Sequence, residues 1–63
     1  MEKESIVLDV VGYLLDVVPN YDYDKVLAIE SKAKSYLIEY YPDLTKDERK
    51  SIVKESVKEF IEL

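Results

Sequence analysis

The chain has no cysteine, no histidine, no tryptophan and no glutamine, and it holds one glycine, one asparagine and two prolines in 63 residues. Lack of cysteine excludes disulfides, and lack of cysteine and histidine together excludes the usual zinc sites. The same two absences remove the common nucleophile–base pairs of covalent catalysis. With Gly12 as its sole glycine, the chain has no glycine-rich phosphate loop. There is no run of about 18 apolar residues, so no segment reads as a membrane-spanning helix. The opening Met1-Glu-Lys-Glu lacks the basic stretch that begins a secretory signal, which makes a cytoplasmic protein the expectation. Scarcity of glutamine and asparagine beside abundant lysine and glutamate is a hyperthermophile tendency. It points to a thermophilic source, archaeal or archaeal-viral.

What is present is charge, aliphatic side chains and tyrosine. The net charge is −5, and it is unevenly placed. Residues 1–24 carry six acids against Lys3, whereas residues 25–63 balance eight acids with eight bases. An acidic chain repels nucleic acid overall, because phosphate affinity comes from lysine and arginine. A chain this short buries only about 60% of the surface its unfolded form exposes. Small domains therefore lean on a disulfide, a metal or a partner. The first two are gone, and another protein chain is the staple that remains.

Helical periodicity runs the length of the chain. Through the first predicted helix, residues 3–18, and just before it, the polar and small positions Glu2, Ser5, Asp9, Gly12 and Asp16 recur every three to four residues. The rest of that segment fills an apolar arc of about 220°, where a surface helix needs about 100°. Two seams lie within the arc: Val7, Val11, Leu14, Val18 and Ile6, Val10, Tyr13, Val17. Pro19 ends the helix. A second helix is predicted over residues 22–41, with Asp22 or Asp24 as cap and Tyr21 and Val26 as a hydrophobic staple. Its stripe is Val26, Ile29, Ala33, Tyr36, Leu37, Tyr40, and Leu27 and Ile38 form a separate apolar patch. Pro42 closes it. A third helix over residues 46–62 opens on Thr45-Lys-Asp-Glu48, a capping box, and buries Ile52, Val53, Val57, Phe60 and Ile61. Short connections predict antiparallel neighbours. The expected fold is therefore all-α: one domain spanning residues 1–63, a small three-helix bundle that dimerises through its first helix.

Four features invite a chemical reading. Asn20, Asp22 and Asp24 have the spacing of the first three ligands of a calcium loop. Lys25 then stands where such a loop needs glycine, and Ser31 where it needs glutamate, so the segment reads as a capped corner and no metal or cofactor is expected. Asp9 and Asp16 lie two turns apart on one face, a pair that reads as keeping an apolar helix solvated. Gly12 either admits another backbone or is a tolerated surface glycine. Arg49, Lys50, Lys54 and Lys58 form a basic ridge on helix three, flanked by Glu48, Glu55, Glu59 and Glu62. The ridge reads as an ion-paired solvated face, with contact to nucleic acid as the alternative.

The stretch "IEYYPDLTKDERKSIVKESVKEF", residues 38–60, resembles the C-terminal part of the nuclease-colicin immunity proteins: Tyr-Tyr-Pro, an acidic segment, then a final helix. That resemblance implies an acidic helical inhibitor that contacts a basic toxin through Tyr40 and Tyr41. The chain departs from the family in having room for three helices where the family has four, and its Tyr40-Tyr41 ends a long helix.

Read together, these features predict a non-catalytic protein–protein interaction or oligomerisation module, an adaptor or accessory subunit, not an enzyme. Its partner is a second copy or another protein, and its interface is Val7, Val11, Leu14, Val18, Leu27, Ile38 and Tyr41. A DNA-binding regulator using the basic ridge is the first alternative and an immunity-type inhibitor the second.

Overall fold

The computed structural model describes residues 3–19 and 24–63, which form three helices: α1 (Lys3–Val17), α2 (Val26–Tyr40) and α3 (Lys46–Glu62). No strand occurs among the described residues. Each helix follows from local chemistry. α1 ends at Val17, two residues before Pro19, and the Val18 amide still donates to the Leu14 carbonyl at 2.9 Å as the chain leaves the helix. α3 starts where Thr45 and Glu48 exchange hydrogen bonds. The Glu48 amide donates to Thr45 Oγ1 at 3.1 Å, and the Thr45 amide donates to Glu48 Oε1 at 2.9 Å. The Thr45 amide and hydroxyl hold the Glu48 carboxyl below the usual carboxylate range.

α2 begins later than its periodicity predicts, at Val26 instead of residue 22. Its N-cap position is Lys25, which offers no side-chain cap, and the ladder opens with the Ile29 amide on the Lys25 carbonyl at 3.0 Å. The expected cap at Asp22, the staple residue Tyr21 and the first calcium-loop position, Asn20, lie outside the described residues. At the other end, the Tyr41 amide donates to the Leu37 carbonyl at 2.8 Å, and Pro42 prevents a further turn.

The helices pack as an up–down–up bundle measuring 32 × 17 × 17 Å. Asp9 of α1 meets Tyr41 just past the end of α2 and Tyr13, one turn on, stacks on Tyr36, one turn back, so α1 and α2 are antiparallel. Lys3 at the start of α1 reaches Ser51 and Glu55 of α3 at 2.7 and 3.6 Å, so α1 and α3 run parallel. The broadest helix–helix contact is between these two. Thirteen apolar side chains form the core: Ile6, Val7, Val10, Val11, Leu14 and Val18; Ile29, Ala33 and Leu37; Ile52, Val53, Val57 and Phe60. Tyr13, Tyr36, Tyr41 and Leu44 pack against its rim. Ile61, expected inside, lies on the surface, and Ser56 takes a fully buried place between Ile52 and Phe60 on the helix face.

The core corrects the reading of α1. Its arc of about 220° is too wide for one neighbour, but in a three-helix bundle each helix has two. α2 and α3 between them cover the whole first seam and Ile6 and Val10 of the second, leaving Tyr13 at the rim and Val17 exposed. Val7, Val11, Leu14 and Val18 are buried inside the single chain and offer no surface for a dimer. Dimerisation through that seam is therefore not the structure's answer to its apolar surplus.

Candidate interaction surface

What α1 leaves outside is a narrower set: Leu8, Leu15 and Val17, beside Ser5, Asp9, Gly12 and Asp16. A Cβ built on Gly12 would meet nothing within 4 Å, so no backbone approaches it and it is a tolerated surface glycine. Asp16 is exposed. Asp9 has a task that its place on the polar stripe did not suggest. Tyr36 Oη donates to Asp9 Oδ1 at 2.9 Å, and Tyr41 Oη donates to Asp9 Oδ2 at 2.5 Å. Burial and the adjoining carboxylate push the Tyr36 hydroxyl up to about 12. The hydrogen bond to Asp9, with burial, also raises Tyr41. Tyr36 stacks on Tyr13, with ring centroids 4.3 Å apart and planes at 25°, and touches Tyr40 at 4.7 Å.

This clamp divides Tyr40 from Tyr41. Tyr41 is half-buried with its hydroxyl committed to α1, and Tyr40 projects outward. Of the seven interface residues named from the sequence, Leu27 and Ile38 are the ones left exposed, at 82% and 49%. They share one stripe of α2 with Ser31 and Lys34, at intervals of four, three and four residues.

Leu27, Ser31 and Lys34 of that stripe line a groove of about 570 Å³ between α2 and α3, and Ile38 lies outside its lining. Lys34, Lys46, Arg49, Lys50 and Lys54 line it together with Leu27, and Glu30 is the one carboxylate in the lining. Among the described residues, the ion pair within 4 Å is Lys3–Glu55, and none of the five groove cations takes part in one. The ridge is thus not the ion-paired face its flanking glutamates suggested. Lys58 is separated from it. Positions four apart on a helix drift by about 40°, so Lys50, Lys54 and Lys58 spiral across the surface. Lys58 falls in a second groove, of about 500 Å³, between α1 and α3, with Glu4, Leu8, Glu55, Glu59 and Glu62.

Among the described residues no group of three acidic side chains could hold a metal ion, and no helix is long and apolar enough to cross a membrane. No protein-family model, no curated protein and no solved structure matches this chain.

Proposed function

We propose that the chain is a non-catalytic protein–protein interaction module, an adaptor or accessory subunit, which docks through the α2–α3 face. One observation carries this reading. Leu27 stands exposed in the groove that gathers five cations with no ion pair within 4 Å among the described residues, and Ile38 is exposed further along the same stripe of α2. An apolar anchor beside unsatisfied charge is the composition of a docking surface, where buried side chains supply affinity and charge supplies orientation and on-rate.

A second reading has its own support. The groove is a locally basic patch, which is what contact with a nucleic-acid backbone requires. The displaced Lys58 and the net charge of −5 weigh against it. Light scattering and salt titration separate the two. A docking module loses its association on Leu27→Asp. A nucleic-acid binder stays at one mass, binds short duplex DNA, loses that binding steeply with added salt, and loses it in Lys50→Glu.

A further inference from the structure

The two grooves beside α3 are opposites. The α2–α3 groove sets five cations against Glu30 around the exposed Leu27. The α1–α3 groove sets four carboxylates against Lys58 around Leu8, which is 67% exposed. Their volumes are close, about 570 and 500 Å³. Each has what the other lacks, and each has an apolar side chain at its border. From this we infer that the occupant of the basic groove is the acidic groove of a second copy of this chain. The inference rests on the docking reading above and names its partner.

Their placement sets the kind of assembly. The grooves lie on opposite flanks of α3. The basic one borders its first half, residues 46–54, and the acidic one its second half, residues 55–62. A copy whose acidic groove sits on this basic groove is related to it by an operator that pairs two different patches, offset from each other by about nine residues along α3. That operator is heterologous. It does not close on two copies, and it leaves a free basic groove at one end and a free acidic groove at the other. Copies therefore add head to tail. The contact between charged rims weakens as salt shortens the screening length. A nucleic acid would fill the basic groove alone and leave the matching acidic groove unexplained.

The test is solution mass by sedimentation equilibrium, over about 10 μM to 1 mM protein, at about 50 and 500 mM salt, on four samples. These are the wild type, Lys50→Glu/Lys54→Glu, Glu59→Lys/Glu62→Lys, and an equimolar mixture of the two variants. All four substituted residues are exposed, and circular dichroism checks that each variant keeps its helices. The wild type should rise above 7.4 kDa with concentration, without a plateau at two copies. Its association constant should fall at least about tenfold at the higher salt. Each variant alone should remain a monomer, and mixing them should restore association, since each then carries the groove that the other needs.

A wild type that stays monomeric at 1 mM and low salt overturns the inference, and so does a mixture that fails to associate. A plateau at two copies overturns head-to-tail addition while leaving the docking reading intact. A monomer that binds duplex DNA through Lys50 and Lys54 overturns both.

Discussion

Tyr41 Oη donates to Asp9 Oδ2 across 2.5 Å, which ties the last turn of the second helix to the middle of the first. Tyr36 shares the same carboxylate at 2.9 Å, so a single acid closes the α1–α2 seam on its solvent side. Both hydroxyls have acid constants raised above the ordinary tyrosine value of 10, Tyr36 to about 12. The unfolded chain releases these protons first. Their contribution to stability is therefore complete below about pH 10 and is lost as the pH climbs through the raised values, about 12 for Tyr36. Absorbance titration of tyrosinate should resolve a late phase. Asp9→Ala should shift that phase to lower pH and cost about 1–2 kcal/mol in urea unfolding at neutral pH.

Gly12 has open space where a Cβ would sit and an ordinary helical backbone. Gly12→Ala should stabilise the chain by about 0.5–1 kcal/mol, by restricting the unfolded state and improving helix propensity. Thermal unfolding measures it, and a loss of stability would mean that some other contact occupies that space.

Ser56 is fully buried, and its Oγ has no hydrogen-bond partner. Removing an unsatisfied hydroxyl relieves its desolvation cost and leaves only a small void. Ser56→Ala should raise stability by about 1 kcal/mol in denaturant melts.

Thr45 supplies half of the α3 capping box. Thr45→Ala should cost about 1 kcal/mol. The other half titrates. With the Glu48 carboxyl lowered, its stabilisation is present above the ordinary glutamate range and fades as the pH falls through the lowered value. Acid unfolding of Glu48→Gln, which removes the titrating carboxyl, should accordingly show a weaker dependence on pH than the wild type.

Leu14 is fully enclosed and Leu8 is not. Leu14→Ala should cost about 2–5 kcal/mol, a large share of the stability of so small a domain. Leu8→Ser should leave the melting temperature nearly unchanged and lower the solution mass at high concentration. An equal effect of the two on stability would contradict the placement of α1.

These contrasts mark what could be read before the structure. α3 was legible because its signals are local: Thr45 and Glu48 are three residues apart, and Ile52, Val53, Val57 and Phe60 repeat with the helix. The apolar arc of α1 was legible too, but its use was not. Periodicity measures how wide a face is and says nothing of how many neighbours share it, so Val7, Val11, Leu14 and Val18 read as surplus when they are core. Asp9 was opaque for another reason. Its partners lie 27 and 32 residues away, and no spacing rule reaches that far. The basic groove was half legible. Arg49, Lys50 and Lys54 stood out as a cluster, but Lys34 and Lys46 join them only once α2 folds back along α3. Ser56 gave no signal beyond its helical register with Ile52 and Phe60.

Because the broadest pairing joins the first and last helices in parallel, neither two-helix hairpin contains it. A fragment made of α1 and α2 would lose every contact to Phe60 and its neighbours, and one made of α2 and α3 would lose the whole aliphatic face of α1. Neither half should hold its fold in isolation. The chain should fold and unfold as one cooperative unit, and its core amides should exchange with solvent only through complete opening.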